Sequence, residues 1–424
     1  MQEAFLHFLW QYQYFDRTSL KDVSGKPLGI LKPGQLNRDA GPDFLNAMIE
    51  RDGLKLAGNI EIHIQSGDWF RHKHHKDPAY ENTILHVVLH HDRETVTYGG
   101  RVLPVLELAG RFDENLYSRY EQLLLSRYPV PCAGLFSLPP DITTSFWLSR
   151  LVAERLENRV EEILETTQKS GNDWEETFYQ YLAMRYGTSV NNTGFQLLAR
   201  SLPVKILLKH RDHLMQIEAL LFGQSGLLAG RPQDDYEAAL KKEYAFLRHK
   251  YGLQPIDASV WKFARLRPQN FPTLRIAQLA AFISQSGNLL DRALQCTTVP
   301  DLELWFQVTP SEYWKTHFRF GKATVQHGAR PGKSFIHTLI INAVVPVLFA
   351  YGKYRQLPEI INRIFTILEN MPAENNRISK TWLQLGLAAR HASDTQAFLQ
   401  LKKYYCDSFR CLECAFGHHL LKSS

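Results

Sequence analysis

The chain changes its hydrophobic period about a third of the way along, and a single layer of one element type cannot satisfy both periods. After an opening amphipathic helix, "MQEAFLHFLWQYQYFD", come five short apolar or alternating runs: "PLGILKP", "DFLNAMIER", "LKLAGNIEIHI", "TILHVVLHH" and "VLPVLELAG". Turn signals such as "SGKP", "RDG", "KDP" and "YGG" separate them, which predicts one helix and then five strands. From Asp141 the period lengthens. In "DITTSFWLSRLVAERLENRVEEILETT" the residues Leu148, Leu151, Val152, Leu156, Val160, Ile163 and Leu164 share one helical face, behind a cap at Asp141 or Thr143. Helices with Asp173 as N-cap and Gly187 as stop, and over "DDYEAALKKEYAFLRHKYG", continue the pattern. Between the two textures lies "SRYPVPCAGLFSLPPD", whose four prolines suit neither a helix interior nor a central strand. The expected class is therefore α+β: an N-terminal α/β domain with a mixed sheet, residues 1–125, then a large all-α domain, residues 126–424.

At 424 residues with 44% hydrophobic content the chain has material for more than one core. A formal charge of +6 is compatible with a polyanionic partner without requiring one. The N-terminus lacks the basic segment and cleavage site of a secretory signal. Five cysteines, three of them within the last 19 residues, do not resemble a secreted disulfide framework, so a reducing cytoplasm is expected. The most apolar stretch, "SFIHTLIINAVVPVLFAYGKY", carries His337, Asn342 and Pro346. It reads as a buried core helix kinked or broken at Pro346 rather than a bilayer span, and no membrane partner is expected. Neither a Walker-type glycine loop nor a GxGxxG turn is present, which removes support for nucleotide hydrolysis and dinucleotide redox chemistry.

Chemistry concentrates in "GNIEIHIQ". The period of two turns Ile60, Ile62 and Ile64 to one side and Asn59, Glu61, His63 and Gln65 to the other. Upstream, "GPDF" places Asp43 at the start of the preceding strand, and "RDG" lets the two strands pair as a hairpin, which would set two carboxylates side by side. Paired carboxylates hold a hard cation such as Mg²⁺ or Mn²⁺, which polarises a phosphate and lowers the pKa of an attacking water. The plain alternative is the solvated face of a half-buried sheet.

The order of these pieces resembles the PD-(D/E)XK nuclease core, which runs αβββαβ. Pro42 and Asp43 match its Pro-Asp, Glu61 matches its acidic residue, and His63 stands where that family usually has lysine. The resemblance implies a nuclease-like fold acting on nucleic acid, with Asp43 and Glu61 as metal ligands and His63 orienting or deprotonating water. Glu3 and Gln65 are weaker additions. A neutral histidine there would favour a softer ion, Mn²⁺ or Zn²⁺. A catalytically inactive nuclease-like scaffold is the competing reading, and a hydrolase of another phosphoester or an amide is a third.

Downstream, "DWFRHKHHKDPAY" offers His72, His74 and His75 with Asp68 and Asp77, but a run of this spacing on a loop presents only two imidazoles together. Arg71, Lys73, Lys76 and Trp69 in the same loop would suit phosphates and a stacked base. His86 reads as a hydrogen-bonded core residue, and His90 and His91 as solvent-facing. At the C-terminus Cys406, Cys411 and Cys414, with His418 or His419, have spacing compatible with a Cys₃His zinc site. A fourth ligand from Cys132 or Cys296 would permit a four-cysteine zinc or iron–sulfur site, and packed thiols are the alternative. "WKFARLRPQNFPTLRIAQLAAF" mixes Lys262, Arg265, Arg267 and Arg275 with Trp261 and Phe271, a composition suited to phosphate contacts but equally to an ordered helix connection. Taken together, "GPDFLNA", "GNIEIHIQSGDW", "HHKDPAYENTILHVV", "RPQNFPTLRIAQLA" and "CLECAFG" resemble the bacterial domain of unknown function 2851 family, a resemblance that carries no activity.

Overall fold

The period-two runs build one mixed sheet in the computed structural model, which describes residues 1–422. Helix α1 (Glu3–Tyr12) leads into β1 (Leu28–Lys32), β2 (Gln35–Leu36), β3 (Phe44–Arg51) and β4 (Leu54–Gln65). The strands β5 (Thr83–His90) and β6 (Val105–Glu107) follow. Sheet order is β1-β3-β4-β5-β6, with β2 on β3. The β1–β3 and β3–β4 pairs are antiparallel, whereas β4–β5 and β5–β6 are parallel. The two-residue β2 is too short to show a period, and it is the strand absent from the sequence reading.

The β3–β4 hairpin closes at Asp52 and Gly53 between the paired Arg51 and Leu54. Both turn residues have positive φ, +54° and +79°, as the tight turn that matches strand twist requires. A parallel step from β4 to β5 needs a crossover, supplied here by α2 (Asp68–Arg71) and two 3₁₀ turns, His74–Lys76 and Pro78–Tyr80. Gly58 sets how close the strands come: a Cβ there would lie 2.4 Å from the Asn82 carbonyl and 2.5 Å from Ile84. Helices α1 and α2 pack against β4. Their cover makes β4 a central strand buried on both faces, so Glu61 and His63 are 4% and 1% exposed.

Contacts divide the chain into Met1–Thr144 with Lys402–Ser424, and Ser145–Leu401. This differs from the border read at 125/126, because the cysteine-rich C-terminal segment returns to the first unit. Its helix Ala415–Lys422 buries Phe416, Leu420 and Leu421 and packs against α3 (Glu114–Leu124), while the His418 ring meets Phe8 and Tyr12 edge-on at 5.1 and 4.4 Å.

The second unit is helical. Helix α4 (Asp141–Lys169) begins at Asp141 itself, so that residue lies inside the first turn. Helix α5 (Trp174–Tyr186) is capped by Asp173, whose side chain accepts from the Glu176 N–H, and ends at Gly187. Next come α6 (Asn192–Ser201), α7 (Val204–Leu208), α8 (Leu214–Gln224), α9 (Asp235–Tyr251) and α10 (Pro272–Ser286). The apolar stretch around Pro346 is a single 23-residue core helix, Lys333–Arg355, which Pro346 does not break. It is long and apolar enough to cross a bilayer, but 78% of its most apolar window is buried inside the protein. Proline is tolerated because a π-turn, Ile340–Val344, precedes it. The Asn342 carbonyl, four residues before Pro346 and deprived of its helical donor, instead accepts from Arg185 Nε at 3.1 Å.

Candidate metal centre

Two carboxylates and several imidazoles converge where α1, the start of β3, the middle of β4 and the crossover loop meet. Asp43 precedes β3 and Glu61 lies on β4, and they are tied reciprocally through the backbone. The Asp43 N–H donates to Glu61 Oε2 at 3.1 Å, and the Ile62 N–H donates to Asp43 Oδ2 at 2.9 Å. Neither carboxylate forms an arginine or lysine ion pair among the described residues. Glu3 and His7, four residues apart on α1, face the same place. His7 Nε2 lies 3.2 Å from Asp43 Oδ2.

His63 sits two residues beyond Glu61 on the same face of β4. Its Nδ1 is 2.8 Å from His86 Nε2, and its Nε2 is 3.0 Å from His72 Nδ1. His86 is fully buried on β5, where it also reaches Thr95. His74 Nε2 is 3.2 Å from Glu61 Oε1, while His63 Nε2 is 3.7 Å from the same oxygen. The nitrogens of His63, His72 and His74 lie within 4.8 Å of one another, close enough to share one ion. The loop thus presents two imidazoles, as its spacing predicted, and the strand supplies a third. Lys73, between the two loop histidines, has φ +67° in the left-handed region, where a side chain is strained. His72 is exposed, which opens the cluster to solvent, while Tyr80 stacks on the His74 ring at 3.8 Å.

Electrostatics follow from burial. Burial, and then the neighbouring Asp43 charge, push the Glu61 carboxyl well above the usual carboxylate range. Burial and the Asp43 charge likewise raise Glu3. Burial holds His63 down to about 2 and His86 to about 3, helped by the other imidazoles, and it lowers His74. His7 behaves oppositely: burial opposes its charging, but the bond to and charge of Asp43 outweigh that and raise it. Neutral imidazoles are the form that ligates metals. His74 Nε2 is buried without a hydrogen bond of proper geometry although Glu61 lies beside it. An orphaned imidazole nitrogen beside two carboxylates belongs to a donor set that fits a divalent cation.

The remaining sequence candidates separate from this cluster. Gln65 is exposed at the end of β4, and only its backbone N–H is engaged, by Asp68 Oδ2 at 3.1 Å. His75 packs its ring against Phe70 at a 53° tilt instead, and Asp77 caps the Ala79 N–H. Trp69 is fully buried, with Nε1 bonded to the Val96 carbonyl, so it is core and offers no face for a base. Arg71, Lys73 and Lys76 are exposed around His72. His90 is exposed, while His91 is half-buried with Nδ1 3.0 Å from Ser66 Oγ. At the C-terminus, Cys406, Cys411 and Cys414 are buried and reduced, as is Cys132. Among the described residues their sulfurs do not join a group with convergent ligand atoms, and His418 Nε2 faces the Leu412 carbonyl. Cys296 belongs to the helical unit. Sequence reasoning missed His7; the signal was a polar pair at i, i+4 on an otherwise apolar helix.

A family model described as protein of unknown function (DUF2851) matches residues 3–377. No curated protein and no solved structure matches the chain.

Proposed function

The chain belongs to the DUF2851 family, and from the geometry of its sheet-borne site we propose a divalent-metal-dependent hydrolase that cleaves phosphodiester bonds in nucleic acid. One observation carries this reading: Asp43 and Glu61 are locked together by reciprocal backbone bonds and share their site with three imidazoles whose nitrogens converge within 4.8 Å. A bound ion would polarise a phosphoryl oxygen and acidify a water. Asp43 and Glu61 would hold it with His63, His72 and His74. Such imidazoles shift preference from Mg²⁺ toward Mn²⁺ or Zn²⁺. His86 fixes the orientation of His63 from behind. His7 braces Asp43, and Glu3 adds a further carboxyl beside it. Exposed Arg71, Lys73 and Lys76 beside the open His72 edge suit the phosphates of a polymeric substrate. The αβββαβ order of the first unit is compatible with a nuclease-like core.

A second reading draws on the same imidazoles. Both His63 nitrogens are within hydrogen-bond distance of other rings, as in a proton-sharing network that needs no ion and serves a non-catalytic binding protein. The test is metal analysis of the purified chain, followed by incubation with single- and double-stranded DNA and RNA plus Mg²⁺, Mn²⁺ or Zn²⁺. Glu61→Gln and His72→Ala serve as controls. Cleavage and stoichiometric metal that vanish together in the variants support the hydrolase. Nucleic-acid binding without metal or cleavage supports the scaffold, and cleavage equal in all three proteins sinks the assignment.

A further inference from the structure

The helical unit contains a cavity of about 850 Å³, within the size range of small-molecule sites. Arg185, Arg267, Arg275 and Arg330 line it, and no aspartate or glutamate does. We propose that this cavity binds a phosphorylated small molecule of nucleotide size through these four arginines.

Arg275 makes the strongest case. It is 6% exposed on α10, and its partners are all neutral: Nη1 on Gln278 Oε1 and Nη2 on Asn270 Oδ1, both at 2.7 Å. Its guanidinium carbon stands 3.3 Å from the centre of the Phe335 ring, and its Nε is buried without a partner. Buried guanidiniums are ordinarily paired with a carboxylate, because removing a cation from water costs far more than neutral hydrogen bonds return. No such partner is present among the described residues. Arg275 does tie down the helix connection by holding the Asn270 side chain, but that bond leaves its charge uncompensated.

The other three likewise lack an acidic partner, although Arg185 is only half-buried and Arg267 and Arg330 are exposed to water. Arg185 directs Nε to the Asn342 carbonyl and Nη2 to the Tyr181 hydroxyl at 2.9 Å. Arg330 directs Nε to Thr309 Oγ1, also at 2.9 Å. Arg267 is exposed at the rim. None of the four forms an ion pair among the described residues, so the buried Arg275 and half-buried Arg185 lack a counter-charge, with the solvated Arg267 and Arg330 beside them. A phosphate ester or diphosphate supplies it, and its oxygens match the planar fork of each guanidinium. Asn192, Gln269, Ser334 and Thr338 add neutral donors and acceptors for the rest of such a molecule. The π-turn that carries Asn342 forms part of the same wall, a backbone irregularity that often accompanies ligand sites.

Calorimetric titration of the full chain with pyrophosphate and with ATP tests this, with citrate as a polycarboxylate control. EDTA is present throughout, and the titration is repeated in Glu61→Gln, so that failure of the metal-site reading and failure of this one remain distinct. The expected result is saturable one-to-one binding of ATP or pyrophosphate, unchanged in Glu61→Gln and weak or absent with citrate. Arg267→Gln and Arg330→Gln, both at exposed positions and checked for wild-type melting, should each weaken it about tenfold. Failure of both phosphates to bind, citrate binding as tightly, or unchanged affinity in both arginine variants would overturn the proposal.

Discussion

The two polar sites of this chain are electrostatic opposites, and each is built by withholding the counter-charge that would make it inert. The sheet site gathers carboxylates and neutral imidazoles with no lysine or arginine paired to its acids. The helical cavity gathers arginines with no acid among its lining residues. A structural ion-pair network would mix both signs, as Asp22 and Arg51 do elsewhere in the first unit, where the 2.6 Å contact closes on itself. A surplus of one sign inside a protein is costly, and it persists where something from outside completes it.

The comparison breaks most sharply if the sites fail to separate under mutation. Glu61→Gln should lower metal-dependent phosphodiester cleavage by about 10³-fold, the effect of removing several kcal/mol of charge stabilisation, while pyrophosphate affinity stays at the wild-type value. Kinetic and titration measurements on one preparation read both. A parallel fall in the two would show that the variant is merely unfolded or that the sites are not independent.

Each site should also stabilise the fold only with its own ligand. Mn²⁺ at about a hundredfold over its dissociation constant is expected to add about 2.7 kcal/mol to the first unit, visible as a rise in melting temperature that EDTA reverses and that His72→Ala abolishes. Pyrophosphate should raise melting without regard to His72.

Acid and base should act on the sheet site with opposite signs. His63 and His86 are held far below their ordinary 6.5, so the unfolded chain binds more protons below that value, and metal-free stability falls as pH drops through it. Glu61 is raised from 4.5, so the folded chain keeps a proton the unfolded one loses, and stability declines as pH rises above that point. Three lowered imidazoles, His63, His74 and His86, outweigh the two raised carboxyls, Glu3 and Glu61, between 4.5 and 6.5, so the contribution of this site rises toward pH 6.5. The slope is about 1.4 kcal/mol per pH unit for each net proton. Denaturant titrations in EDTA at several pH values check this, and a stability that falls steadily from pH 5 to 6.5 would refute it. The smallest effect is expected at Lys73, where glycine relieves the positive φ and gains up to about 1 kcal/mol in equilibrium unfolding.

Much of this was legible before any coordinates. Strand alternation located Glu61 and His63, "RDG" located the hairpin, and the change of period separated sheet from helices. What escaped depends on distances along the chain that no local pattern encodes. His72 and His74 were discounted because a loop of that spacing presents two ligands, and the missing third lies on a strand nine residues earlier than the first. Trp69 looked like a stacking surface because its neighbours are basic, yet an indole that can bond the Val96 carbonyl is better placed inside. Pro346 suggested a break, but a wider turn before it and an arginine from α5 absorb the lost bond. The charge imbalance around Arg275 is invisible in a segment rich in both arginine and amides, since it consists of acids that are not nearby.

The return of residues 402–422 to the first unit makes that unit discontinuous, with the whole helical unit inserted between its two parts. Phe8 and Tyr12 of α1 therefore meet His418 only after the intervening helical unit has been made. A chain cut between residues 401 and 402 would keep the helical unit whole but lose the segment that packs against α1 and α3.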